Sequence, residues 1–172
     1  GVILNKEKWP PTLFRGGFSF GEVALTTQQA LENGTPTTRT NIAGKGFLKA
    51  IQLEQLRVKG PRVLVDVSVT TRLNQDLRKY ILKSEVEQCD EVIWPAFEYH
   101  ANADPRIEIN SFTNLFSPAS VLYDYFRQYP VRDHYLELLK LIVKSALRFF
   151  EDKENFSDAK NLIASHIKQR GL

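Results

Sequence analysis

The run Leu13-Phe14-Arg15-Gly16-Gly17-Phe18-Ser19-Phe20-Gly21-Glu22-Val23 constrains the fold of this chain more than any other segment. Apolar residues alternate with small ones, the run closes on a glycine, and an acidic side chain follows, which predicts a strand over residues 12–24. A glycine inside a strand has no side chain to pack. Gly16, Gly17 and Gly21 therefore fit a strand that another backbone or a ligand approaches closely. Tight packing of a helix on a sheet would use the same glycines. In every case something has to lie against this strand.

Two further segments follow in order. Asn41-Ile42-Ala43-Gly44-Lys45-Gly46-Phe47-Leu48-Lys49-Ala50-Ile51-Gln52-Leu53-Glu54 places Phe47, Leu48, Ala50, Ile51, Leu53 and Leu56 at helical spacing, so residues 44–57 are expected to form a helix with one buried face. Lys59-Gly60-Pro61 ends it, and Val63-Leu64-Val65 reads as a short strand of the fully buried kind.

Consecutive prolines at Pro10 and Pro11 predict an extended entry to the first strand. Residues 26–40 are polar, with a turn signal at Asn33-Gly34-Thr35-Pro36, and are expected to form a loop or arm with a short helix at Thr27 to Leu31. Val67 to Thr71 should lead into a helix reaching about Leu82. Glu91 to Tyr99 and Arg106 to Ile109 are expected to pair as a hairpin across Asn102-Ala103-Asp104-Pro105. Ser117-Pro118 is expected to open a helix to about Gln128, Tyr129-Pro130 to break it, and Val131 to Phe150 to run as a long amphipathic helix. A last helix is expected from Ser157 to Gln169. The fold class is α/β (α+β), a sheet core followed by a helical cap.

Composition narrows the function classes. A chain of 172 residues suits one domain with a helical appendage, and 42% hydrophobic with 25% charged residues is ordinary for a soluble globular protein. The net charge of +3 comes from 23 basic and 20 acidic residues scattered without runs, so charge gives no footprint for nucleic acid. The single cysteine, Cys89, excludes an intrachain disulfide framework and suits a reducing compartment. No apolar run approaches the ~18 residues of a membrane span. The N-terminus lacks the layout of a signal peptide, and a cytoplasmic protein is expected. The chain contains no methionine, which fits a sequence lacking residues at its N-terminus.

In this order and spacing the glycine-rich strand, the glycine-opened helix and Gly60-Pro61-Arg62-Val63-Leu64-Val65-Asp66 resemble the second half of a class III nucleotide cyclase domain. The helix is similar to that of a divergent bacterial branch that includes the pyrimidine cyclases of Pycsar anti-phage defence. The resemblance implies a ferredoxin-like βαββαβ core with its N-terminal part missing. It places a partial cyclase domain at residues 1–112 and a C-terminal helical extension at 113–172. The implied activity is conversion of UTP or CTP to the 3′,5′-cyclic mononucleotide and pyrophosphate, as a second messenger in antiviral defence. Two Mg or Mn ions would be needed, with their carboxylates upstream of Gly1, and the active unit would be a homodimer acting on a nucleoside triphosphate without nucleic acid or membrane.

On this resemblance Arg15 stands at the basic position opening the glycine-rich strand, as the candidate catalytic residue. Asn41, Gly17 and Gly21 are candidates for substrate binding, Asn41 at the position that reads the base. The bland readings are an Arg15 paired with a local carboxylate such as Glu22, and an Asn41 that merely caps a turn. The helix also departs from purine cyclases. Where those carry an asparagine and an arginine, this chain has Leu48 and Gln52, neither able to supply positive charge. Arg15, Arg39 or Arg57 would have to supply it, or the domain binds a nucleotide or partner without turnover. An unrelated ferredoxin-like interaction domain is the third alternative. His100, His134 and His166 show no zinc spacing, and Gly44-Lys45-Gly46 lacks the spacer and hydroxyl of a Walker loop. Tyr123, Tyr125, Phe126, Tyr129 and Tyr135 read as core rather than a stacking platform.

Overall fold

The computed structural model describes residues 2–3, 12–56, 58–86, 88–99, 105–150 and 157–171. These form a mixed α/β structure with a small mixed sheet and six α-helices among the described residues. Strands β1 (Val2–Ile3) and β2 (Thr12–Leu13) pair as a short antiparallel ladder. The main sheet has the order β3 (Gly16–Phe18), β6 (Val63–Asp66), β8 (Cys89–Val92), β7 (Ile81–Lys83). β3 runs parallel to β6, whereas the other two pairings are antiparallel. The parallel pair needs a crossover, and helix α1 (Lys45–Gln55) supplies it, packed on both strands.

The strand expected over residues 12–24 is shorter than its pattern. It divides into β2 and β3, and from Ala24 the chain enters a separate ribbon. That ribbon corrects the expectation of a loop with a helix at Thr27 to Leu31. Residues 24–43 form a hairpin of β4 (Ala24–Glu32) and β5 (Thr35–Ala43), paired from Ala24↔Ala43 to Glu32↔Thr35. The two-residue turn has positive φ at both Asn33 (52°) and Gly34 (81°), the geometry of the mirror-image turn that Asn-Gly favours between twisted strands. Threonines at six of the paired positions add the β-branched preference for extended backbone.

Three more expectations are corrected. The helix from Val67 to Leu82 is two short ones, α2 (Val67–Thr70) and α3 (Gln75–Arg78), each restarted by its own cap. Asp66 accepts from Ser68 N–H at 2.9 Å and Asn74 accepts from Leu77 N–H at 2.9 Å. Ile81 and Leu82 then leave helical geometry to pair with Val92 and Glu91. The hairpin expected across residues 102–105 does not form. β8 instead pairs back onto β6 and β7, Trp94–Glu98 makes a 3₁₀ turn, and α4 (Pro105–Tyr125) begins at a proline, which needs no N–H in a first turn. Residues 100–104 of that expected turn lie outside the described residues. Pro118 lies inside α4 rather than opening a helix. The sequence division after residue 112 falls within α4.

α5 (Arg132–Phe150) and α6 (Ser157–Arg170) match their periodicity. With α4 they enclose a core of Phe112, Phe116, Leu138, Leu139, Ile142, Phe150 and Ile163, all at most 2% exposed. Ile93, Ala96 and Tyr99 carry this core to the β7–β8 side of the sheet. His166 packs edge-on against Phe112 and Phe116, and Tyr135 stacks on Phe126 at 5.3 Å, but Tyr125 and Tyr129, expected in the core, are exposed. Among the described residues no helix is long and apolar enough to cross a membrane.

Candidate functional site

β3 presents two unlike faces. Arg15, Gly17, Ser19 and Gly21 face α1, while Phe14, Phe18 and Phe20 are exposed on the other side, with Arg72 standing 4.0 Å over the Phe20 ring. The glycines are required by how near the helix comes. A Cβ on Gly17 would lie 2.8 Å from Leu53 Cβ and nearer still to the Ala50 carbonyl oxygen. One on Gly21 would lie 2.7 Å from Gly46 N. Both distances are closer than side-chain carbons tolerate, so α1 fills the side of Gly17 and Gly21 toward which a side chain would point. Gly16, by contrast, has nothing within 4 Å of its would-be Cβ.

The start of α1 is fastened to the end of β3. Gly46 N–H donates to Glu22 O at 3.2 Å, and Ser19 Oγ donates to Gly46 O. Gly44 adopts φ 128°, a region that side chains disfavour, with its would-be Cβ 2.9 Å from the Glu22 carbonyl carbon. The glycine pattern thus encodes a helix laid directly on a strand.

Arg15 closes the far end of this contact. Its Nε donates to Glu54 Oε1 at 3.0 Å, with both side chains 43% exposed. The partner is a carboxylate on α1 and not Glu22. The cavity beside Arg15, lined by Gly16, Leu53, Glu54 and Arg62 among others, measures about 10 Å³. That is room for one water at most.

Asn41 lies near the opposite end of β3, exposed on β5 and paired with Thr26, three residues before Gly44. Arg15 is held at Glu54 in the last turn of α1, whereas Asn41 precedes the first residue of that helix, Lys45, and a helix of 11 residues is about 16 Å long. One copy of the chain therefore does not bring Arg15 and Asn41 together. Leu48, 58% exposed, and Gln52 point to solvent from the outer face of α1. Arg39 pairs with Glu32 across the hairpin. Arg57 and His100 lie outside the described residues. His134 Nδ1 accepts from Gly60 N–H at 3.1 Å.

Two charge pairs with buried carboxylates went unseen in the sequence. Asp66, 5% exposed at the end of β6, binds Lys49 Nζ of α1 at 2.7 Å and caps α2 through Ser68. Burial raises its pKa, but the hydrogen bonds from Lys49 and Ser68 outweigh that and hold the carboxyl below its ordinary value. Arg62 grips Glu91 in a two-point fork, Nε to Oε1 at 2.7 Å and Nη2 to Oε2 at 2.5 Å, with side chains 11% and 6% exposed. The Glu91 hydrogen bond raises the arginine pKa against the opposing effect of burial. Only Asp66-Val67-Ser68, a cap sequence, carried a local signal for either pair.

Among the described residues no group of three or more His, Cys, Asp or Glu side chains could hold a metal ion, so the residues present do not by themselves fit a two-metal centre. No protein-family model, curated protein or solved structure matches this chain.

Proposed function

We propose that this chain is part of a class III nucleotide cyclase of the pyrimidine-selective bacterial branch, built on a ferredoxin-like core and forming cyclic UMP or cyclic CMP in anti-phage defence. In that reaction the ribose 3′ oxygen forms a bond to the α-phosphorus, and the bond from that phosphorus to the β-phosphate oxygen breaks, releasing pyrophosphate. The carrying observation is the β3–α1–β6 unit. The three segments that suggested the family pack as one body, with a glycine at each closest approach of strand and helix.

In this reading Arg15 balances charge on the phosphates and gives up Glu54 to do so. Asn41 offers a donor and an acceptor to a base edge. Because the two residues lie at opposite ends of α1, the reading has two copies complete each site. Mg or Mn would supply charge stabilisation at the triphosphate, and on the family resemblance its carboxylates would lie upstream of Gly1.

A second reading is a cyclase-like domain that binds nucleotide or a partner without turnover. The outward-facing Leu48 and Gln52 favour it, since neither can carry charge to a phosphate. Purified full-length protein incubated with each nucleoside triphosphate and manganese separates the two. Cyclic product supports the cyclase. A rise in melting temperature with a nucleotide but no product supports binding alone, and neither response excludes both readings.

A further inference from the structure

We propose that the cleft between the short helices α2 and α3 and the edge strand β7 binds a nucleoside monophosphate. Binding here is independent of the cyclase reading, because none of Arg15, Gly17, Gly21 and Asn41 lines the cleft.

The cleft measures about 450 Å³, within the roughly 300–1,000 Å³ of small-molecule sites. Val67, Ile81 and Leu82 give it an apolar wall. The polar groups that line it divide into acceptors and cationic donors.

Asp90 is the buried acceptor. It stands on β8, paired with Val65 on one side and Lys83 on the other, and is 3% exposed. Its Oδ1 is buried without a hydrogen bond, since Lys83 Nζ lies 2.9 Å away but lacks the alignment to donate. A buried carboxylate oxygen normally holds at least one donor. The Lys83 side chain is 84% exposed, so it can swing off Asp90 without disturbing the core. Thr70 and Thr71 add two further acceptors. Each hydroxyl donates its proton to a backbone carbonyl, Thr70 Oγ1 to Val67 O at 3.0 Å and Thr71 Oγ1 to Ser68 O at 3.1 Å. What remains on each oxygen is accepting capacity.

The cations are Lys83 and Arg78. Arg78 donates from Nε to Leu73 O at 2.9 Å and from Nη2 to Thr71 O at 3.0 Å. These bonds fix the guanidinium plane and leave other N–H groups of the fork for a ligand. Arg78 and Lys83 against Asp90 leave one positive charge in excess around the cleft.

An occupant must therefore bring an anion for the two cations, hydroxyl or amino donors for Asp90 and the threonines, and a flat apolar surface for the wall. Inorganic phosphate lacks the ring, a sugar phosphate lacks the apolar face, and a free nucleoside lacks the charge. A nucleoside monophosphate carries all three. On binding, Lys83 turns from Asp90 to the phosphate, and a ligand N–H or O–H takes its place at Oδ1. Linear and 3′,5′-cyclic monophosphates share this chemistry.

Isothermal titration calorimetry on the full chain tests this, with the four nucleoside 5′-monophosphates and their 3′,5′-cyclic forms as probes. At least one should bind with a Kd on the order of 0.01–1 mM, and its form separates the two sources. The matching nucleoside and inorganic phosphate should each bind at least about 10-fold more weakly. Lys83→Gln should weaken the monophosphate at least about 5-fold, and Asp90→Asn about 10-fold. Lys79→Gln changes a neighbouring cation that does not line the cleft and should leave binding unchanged. Arg15→Ala should also leave it unchanged. Four results would each overturn the proposal: no binding of any probe, a nucleoside bound as tightly as its monophosphate, equal losses in Lys83→Gln and Lys79→Gln, or binding lost in Arg15→Ala and kept in Lys83→Gln. If Asp90→Asn fails to fold, the comparison of Lys83→Gln with Lys79→Gln decides alone.

Discussion

Replacing Gly17 by alanine tests whether the glycine-rich strand is shaped by a helix or by a ligand. The added methyl group would sit 2.8 Å from Leu53 Cβ and closer to the Ala50 carbonyl oxygen, both on α1. Neither atom can swing aside, because one belongs to the helix backbone and the other is fixed to it. The helix must move off the strand, pulling on the fastening at Ser19, Glu22 and Gly46. Overpacking of this kind costs about 1–3 kcal/mol, and a backbone contact belongs near the top of that range. At roughly 2–4 °C per kcal/mol for a chain this long, the melting temperature should fall by about 6–12 °C. Gly16→Ala is the matched control. Its methyl group meets nothing within 4 Å, and it restricts the unfolded chain, so stability should hold or rise by up to about 1 kcal/mol. Urea unfolding and thermal melts of both variants, without nucleotide, give the comparison. A Gly17→Ala protein as stable as the wild type, or a Gly16→Ala protein equally damaged, would refute the argument that α1 contact is what demands Gly17.

Other consequences follow from the charge pairs and the core. Glu91→Ala strands the Arg62 guanidinium inside the sheet and should cost about 3–5 kcal/mol in urea unfolding. Asp66 has its folded pKa depressed, so its stabilisation is present above the unfolded carboxylate pKa of about 3.9 and is lost as pH falls through the lower folded value. Acid unfolding of Asp66→Asn should therefore show a shallower pH dependence below about pH 4 than the wild type; an identical profile would remove Asp66 from the account. Leu139→Ala, at a fully buried site in α5, should lose about 2–5 kcal/mol, whereas Leu48→Ala on the exposed face of α1 should stay within about 0.5 kcal/mol.

The parts of the fold legible in the sequence were those with a strong local period. α1, α5 and α6 repeat apolar residues at helical spacing, and Val63-Leu64-Val65 is apolar throughout because both its faces are covered. The β4–β5 ribbon was harder to read because threonine, glutamine and alanine show little hydropathy contrast, and neither face is buried to impose one. Its Asn33-Gly34 turn was the signal. Pro118 misled because a missing N–H usually marks a helix start, but α4 is packed on α5 strongly enough to carry it inside. Of the site, the glycines were legible as a demand for close approach, and the structure supplies α1 as the approaching body. The Arg15–Glu54 and Arg62–Glu91 pairs join residues 39 and 29 positions apart, and no local pattern reports on such contacts.

Product analysis by mass spectrometry is the decisive test of the proposed nucleotide cyclisation. Full-length protein with manganese should convert UTP or CTP, in preference to ATP and GTP, to the 3′,5′-cyclic mononucleotide with one pyrophosphate per turnover. Arg15→Ala should abolish that product while costing no more than about 1 kcal/mol of stability, since the Glu54 pair it breaks is exposed. No cyclic product from any of the four nucleotides, or full activity in Arg15→Ala, would contradict the account.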